Sequence, residues 1–172
     1  AYLRGRDPRD VTSQLCEGGA DIIQLRAKDW PQARIHRVAE AILPICEMSG
    51  VPLVINDHPS IARQVGAPYA HLGQEDFFGA GHTHVSVLGL RPRIGLSSHA
   101  PEQARQAVAA GAAYVAVGPV YATATKPGRP AVTLDYVRWA ATHLAHVPWF
   151  AIGGISLANL DDVLEAGARA LA

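Results

Sequence analysis

Four Gly-Ala pairs set the rhythm of this chain: Gly19-Ala20-Asp21, Gly66-Ala67-Pro68, Gly111-Ala112-Ala113 and Gly167-Ala168-Arg169. Each follows a stretch with helical spacing, and the first three are followed by short, largely apolar runs. Glycine ends a helix well because it takes the left-handed conformation without a steric penalty. The pairs therefore mark helix-to-strand junctions, and strands recur every 18–35 residues or so. That is the pattern of parallel α/β units, in which each strand is followed by a crossover helix. Strands are expected over 21–25, 51–55, 69–72, 94–97, 114–117 and 149–152. A doubtful strand at Tyr2-Leu3 and another implied after residue 172 would make eight. A (β/α)8 barrel, with its first and last strands incomplete in this chain, fits this count. A doubly wound sheet would usually show a glycine fingerprint after its first strand, and none is present.

Helices are expected over about 9–18, 32–49, 59–65, 101–110, 133–144 and 157–166. Pro44 should kink or break the second of these, since proline removes an interior hydrogen bond. Residues 77–92 are Gly- and His-rich and poorly patterned, apart from an apolar alternation at 85–88. The length of 172 residues suits one domain spanning 1–172.

Fifteen basic against fifteen acidic residues give a formal net charge of zero, which argues against a broad nucleic-acid footprint. Trp30, Trp139 and Trp149 do not alternate with basic residues, so they offer no stacking platform for bases. No window is apolar enough for a membrane span, and the first residues are too charged for a secretory signal. Cys16 and Cys46 lack metal-site spacing and are expected to be reduced, partly buried thiols of a cytoplasmic protein. His82, His84, His143 and His146 form no zinc set. A homodimer is compatible with the sequence, which does not itself locate an interface.

The candidate functional residues fall at the C-terminal ends of expected strands, the face where such folds place their chemistry. Val51-Pro-Leu-Val-Ile-Asn56-Asp57 is an apolar run that ends abruptly in polar residues, and Asp76 closes the next such run in the same way. Asp57 and Asp76 suit Mg²⁺, a hard cation held through one or two carboxylates, water and phosphate oxygens. They could equally cap the helices that follow. Gln24, Arg26 and Lys28 alternate with Leu25 and Ala27, so an extended chain would show two cations and an amide on one side. A solvent-exposed basic loop is the competing reading. Asn56 and Ser97 are candidate ligand contacts, while Ser98 is more simply a helix cap. His99 stands between a strand end and a helix start, a place for ligand contact or proton transfer and equally for a structural role. His58 reads as a balance for Asp57, and His71 as a satisfied core residue. Thr123, Thr125 and Lys126, set among glycines and prolines after Gly118, make a stiff anion-binding turn. Gly153-Gly154 follows the strand at 149–152, where backbone amides commonly meet phosphate. Together these features point to an enzyme of phosphorylated small molecules.

The motifs Gln24-Leu-Arg-Ala-Lys28-Asp, Ile55-Asn-Asp57, His71-Leu-Gly-Gln-Glu-Asp76, Ser97-Ser-His99, Gly118-Pro-Val-Tyr with Thr123-Ala-Thr-Lys126, and Ala151-Ile-Gly-Gly-Ile155, in this order, resemble the thiamine phosphate synthase family. The related thiazole tautomerases, TenI-like proteins, share its barrel. The resemblance implies a transferase of thiamine biosynthesis that joins hydroxymethylpyrimidine diphosphate to thiazole phosphate and releases pyrophosphate. It implies Asp57 and Asp76 as Mg²⁺ ligands. It implies a pyrimidine diphosphate site from Gln24, Leu25, Arg26, Ala27 and Lys28 with Asn56, Ser97 and Lys126. Thr123, Ala124 and Thr125, with Gly153 and Gly154, would form the thiazole phosphate site. Arg26, Lys28, Lys126 and His99 are then the expected catalytic residues. The chain departs from the family pattern at His58, where arginine is usual, and at Ala122, where proline is usual. Residues 77–92 are also longer and less helical than in the family, and the first strand is nearly missing. Two rival readings stand beside the synthase: a metal-independent tautomerase centred on His99, and a non-catalytic domain that binds a phosphate ligand.

Overall fold

The structure, a computed structural model, describes residues 3–123 and 130–172. The chain divides into two compact units, Ala1–Leu72 with Leu88–Ile94, and Gly73–Val87 with Gly95–Ala172. Both are α/β, with parallel strands that follow one another in chain order.

In the first unit, α1 (Pro8–Glu17) precedes β1 (Ile23–Leu25), α2 (Gln32–Met48), β2 (Leu53–Asn56), α3 (Pro59–Val65) and β3 (Tyr69–Leu72). Asp7 starts α1 by accepting from the Arg9 amide at 2.7 Å, with Pro8 at the first helical position. Leu25 pairs with Ile55, Ile55 with Ala70, and Asn56 with His71. Every residue of β2 is buried, as a strand apolar on both faces requires. Leu3 lies in a bend, and the remainder of the doubtful first strand falls outside the described residues.

Helix α2 runs through Pro44 from Gln32 to Met48, so of the kink or break expected at that proline the break does not occur. Ile35, Ala39, Ile42, Leu43 and Cys46 form its buried stripe, while Pro44 points to solvent. The carbonyl that loses its partner therefore lies on the wet side. Burial of the three large apolar groups, Ile35, Ile42 and Leu43, at ~1.5–3 kcal/mol each outweighs the ~3 kcal/mol cost of an interior proline. Cys46 is buried and Cys16 half-buried, both as free thiols. Burial, and then the neighbouring Cys16, push the Cys46 thiol up to about 11.

The second unit holds α4 (Gln74–Gly79), a short 3₁₀ turn at Val85–Leu88, most of β4 (Arg93–Ser98), α5 (Pro101–Ala109), β5 (Tyr114–Val117), α6 (Thr133–His143), β6 (Trp149–Ala151) and α7 (Leu160–Glu165). Helix α4 and the 3₁₀ turn lie where the sequence shows no clear periodicity, and α7 begins three residues later than its pattern suggests. Ser97 pairs with Ala116, Ser98 with Val117, and Val117 with Ala151. Gly95 lies opposite Tyr114, whose ring occupies the space a β-carbon at position 95 would need. Val120, Val137, Ala151, Val163, Ala166 and Ala168 form the core where α6 and α7 cover β6. Residues 170–172 begin to pair with β6: Ala151 donates to Ala170 at 3.0 Å and accepts from Ala172 at 2.9 Å. This is an isolated parallel bridge between Ala151 and Leu171; the strand expected after residue 172 lies outside the described residues. Among the described residues no helix is long and apolar enough to cross a membrane.

Candidate functional site

Asp57 is the most constrained residue of the first unit's strand ends. Its φ of +62° lies in the left-handed region, which non-glycine residues seldom enter and aspartate tolerates better than most. Its amide donates to His71 O at 2.8 Å, extending the β2–β3 ladder by one residue. Its carboxylate Oδ2 lies 3.5 Å from Lys28 Nζ, with the aspartate side chain 28% and the lysine 52% exposed. Strain of this kind is commonly stored at functional sites. His58, without a side-chain capping bond, holds the N-cap position of α3, so Asp57 is not the cap that one reading of the sequence allowed.

Strand β1 is shorter than expected and stops at Leu25. Arg26 and Ala27 continue without regular structure, and Lys28 lies in a turn where the Trp30 amide donates to Ala27 O at 3.1 Å. Gln24 and Lys28 are exposed, whereas Leu25, Arg26 and Ala27 are half-buried. Asn56 is buried at the end of β2, and His71 is half-buried beside it in β3. The first unit therefore brings Lys28 and Asp57 together beside Asn56.

In the second unit, Ser97 is buried and its Oγ accepts from the Gln74 amide at 3.1 Å. That amide opens α4, the helix whose first turn carries Asp76. Gly73 is the N-cap, again with no side-chain capping bond, so Asp76 is not a helix cap either. A β-carbon at Gly73 would lie 2.6 Å from Asp76 Oδ2, so the absent side chain leaves room for this carboxylate. Asp57 and Asp76 belong to different units.

Ser98 does not cap α5; Ala100 is at that position. The Ser98 hydroxyl instead donates to Ala116 O at 3.1 Å. The His99 amide donates to Gln103 Oε1 at 2.7 Å, and its Nδ1 is hydrogen-bonded to Gly118 O. A carbonyl only accepts, so Nδ1 carries the proton, and in the neutral ring the lone pair is on Nε2.

Gly153 and Gly154 have φ of +99° and +69°. A β-carbon on Gly153 would lie 2.6 Å from Pro119 Cβ, and one on Gly154 2.7 Å from Tyr121 Cβ. Glycine is required here by the loop that follows β5, whose Val120 and Tyr121 amides donate to Ile152 O and Gly153 O at 2.9 and 3.0 Å. The pair thus has a packing reason that its sequence did not reveal. Thr123 is half-buried, whereas Ala124, Thr125 and Lys126 lie outside the described residues.

Sequence reasoning passed over Gln74, Gln103 and Tyr136. Gln74 lies inside the Gly73-Gln-Glu-Asp76 run, which was the available signal. Tyr136 resembles any apolar residue of an amphipathic helix, and nothing along the chain marks its hydroxyl.

The family model described as thiamine monophosphate synthase matches residues 2–172. The thiamine-phosphate synthase of Thermus thermophilus is 48% identical over 160 residues, covering 93% of this chain and 76% of the relative. That of Acidothermus cellulolyticus is 45% identical over 153 residues, covering 88% and 71%. Among solved structures, a thiamine phosphate pyrophosphorylase from Pyrococcus furiosus superposes with a TM-score of 0.82 at 24% identity, covering 98% of this chain and 79% of the other.

Proposed function

This chain belongs to the thiamine monophosphate synthase family, and from that premise we infer that it joins hydroxymethylpyrimidine diphosphate to thiazole phosphate with release of pyrophosphate. The observation that carries the reading is Asp57, a carboxylate held in strained backbone and ion-paired with Lys28 at a strand end. A metal-independent isomerase has no use for that arrangement, whereas a diphosphate leaving group does. The closed (β/α)8 barrel is part of the same proposal, supported by the likeness in fold to the Pyrococcus structure.

Asp57 and Asp76 are the proposed Mg²⁺ ligands. Among the described residues no group of three or more His, Cys, Asp or Glu side chains could hold a metal, but Mg²⁺ commonly takes only one or two carboxylates. The room that Gly73 leaves for Asp76 and the freedom of Asp57 from capping fit that donor set. When bound, the ion supplies Lewis-acid neutralisation of diphosphate charge.

The chain's own residues do the rest. Arg26, Lys28 and Lys126 stabilise the charge that grows on the departing diphosphate, which is electrostatic rather than base catalysis. The pyrimidine's ring nitrogen and amino group push electrons toward that departure, giving a cation-like exocyclic carbon. The thiazole nitrogen attacks this carbon, so one C–O bond breaks and one C–N bond forms. Gln24, Leu25, Ala27, Asn56 and Ser97 orient the pyrimidine diphosphate; Thr123, Ala124, Thr125, Gly153 and Gly154 hold the thiazole phosphate. The reaction is that of a cytoplasmic biosynthetic enzyme.

A second reading rests on His99, whose backbone is held by Gln103 and whose ring is fixed by Gly118 O in a form suited to proton transfer. That is what a thiazole tautomerase would need. Incubation with both substrates and Mg²⁺, beside an isomerisation assay on the thiazole phosphate carboxylate, separates the two. Thiamine phosphate should form in the first; product in the second alone would reverse the assignment.

A further inference from the structure

Ser97-Ser-His99-Ala100 is gripped from behind by a side chain that no motif marks. Tyr136, on α6, is only 5% exposed, and its hydroxyl lies 2.7 Å from Ser98 Oγ and 2.9 Å from Ala100 O. Ser98 already donates its proton to Ala116 O, so the one phenol proton of Tyr136 is shared between Ser98 Oγ and Ala100 O in a three-centre bond. Burial pushes the Tyr136 phenol up to about 12, which keeps it a donor throughout the working range. Successive residues of a strand face opposite ways, so Ser98 turns toward α6 while Ser97 meets the Gln74 amide. Both anchors of Tyr136 flank His99 in sequence, and His99 itself is tied to Gln103 and Gly118.

We propose that Tyr136 is a positioning residue for the coupling reaction: through Ser98 and Ala100 it fixes the backbone that presents Ser97 and His99 to the phosphorylated substrates. The hydroxyl touches no substrate. It removes the rotation of the β4–α5 connection that would otherwise let Ser97 drift from its partner. This rests on the transferase reading given above.

Tyr136→Phe keeps the ring, including its stacking on Trp139 with centroids 5.7 Å apart, and deletes only the hydroxyl. In the full chain, KM for the phosphorylated substrates should rise about fivefold, the effect of one lost hydrogen bond. A purely structural tyrosine would lower Tm and leave KM and kcat per folded molecule within twofold of wild type, and that result overturns the proposal. Ser98→Ala should raise KM similarly, and serves if Tyr136→Phe does not fold. In the double variant the increases should combine to less than their product, because both lose the Tyr136–Ser98 bond, although Tyr136→Phe also loses Ala100 O and Ser98→Ala also loses Ala116 O. Full multiplication would show that the shared bond carries nothing and also overturn it. Titration with inorganic pyrophosphate and Mg²⁺ reads the same step without turnover. There Tyr136→Phe should bind about fivefold more weakly than wild type; equal affinity speaks against positioning. Wild-type protein that binds pyrophosphate but forms no thiamine phosphate would overturn the transferase reading and with it the role in coupling, while the pyrophosphate affinities would still decide whether Tyr136 positions the anion site.

Discussion

The turn after β2 and the connection after β4 solve the same problem with different chemistry. At the first, Asp57 is held by left-handed backbone, an amide bond to His71 O and a half-exposed ion pair with Lys28. At the second, Ser97 to Ala100 are held by neutral hydroxyls and amides, with Ser97 and Ser98 buried. A charge is costly to bury, so the charged end stays wet and is fixed by backbone. Hydroxyls can be buried once paired, so the neutral end can be fixed from inside the core. The comparison teaches that charge at a strand end is kept wet and adds little stability, while the buried hydroxyl network adds stability from inside the core.

The sharpest way to break that contrast is Asp57→Asn. Asparagine also tolerates the left-handed backbone, so the fold should survive while turnover falls ~10²–10³-fold, the scale for losing a charge-stabilising group. Steady-state assays beside circular dichroism check this, and near-normal turnover would remove Asp57 from the mechanism. Next in size is Gly95→Ala in the second unit, where the new methyl meets the Tyr114 ring. Denaturant melts should show a loss of about 1–3 kcal/mol, the usual cost of overpacking. An unchanged midpoint would mean that the β4–β5 layer is looser than described.

Alkaline unfolding gives a smaller effect with a definite sign. Burial, offset in part by the Ser98 bond and aided by Glu102, raises Tyr136 from 10.0 to about 12. Between those values the unfolded chain has lost the phenol proton and the folded chain keeps it, so stability falls as pH rises. Thermal melts between pH 9 and 12 should slope downward, and Tyr136→Phe should flatten the part above pH 10. A slope identical in the variant would assign the loss elsewhere. The smallest expected effect belongs to Tyr121, whose hydroxyl is buried without a hydrogen-bond partner among the described residues. Tyr121→Phe should leave stability unchanged or raise it by up to ~1 kcal/mol, because an unpaired buried hydroxyl costs free energy. A clear drop in Tm would reveal a partner for that hydroxyl.

Much of this was legible along the chain. The apolar runs at 51–55 and 114–117 read as strands, and β2 and β5 are buried throughout; the Gly-Ala junctions placed the helix ends. Lys28, Asp57, Ser97 and His99 stood out because polar groups directly after a buried strand need a reason. Pro44 left a kink or a break open, and the break does not occur because proline's cost depends on which side of the helix it faces, which is set by neighbours. Helix α4 was obscure because its short, Gly-bounded pattern gives too few turns for a period.

By itself the sequence determined the α/β alternation, the candidate residues at the strand ends and the family resemblance, since periodicity and motif order are local properties. Tertiary structure alone decided that Asp57 adopts strained backbone, that Gly153 and Gly154 make room for the loop after β5, and that Tyr136 reaches Ser98. Those facts depend on contacts between segments distant in the chain, and no residue records in its identity which distant atom it will meet.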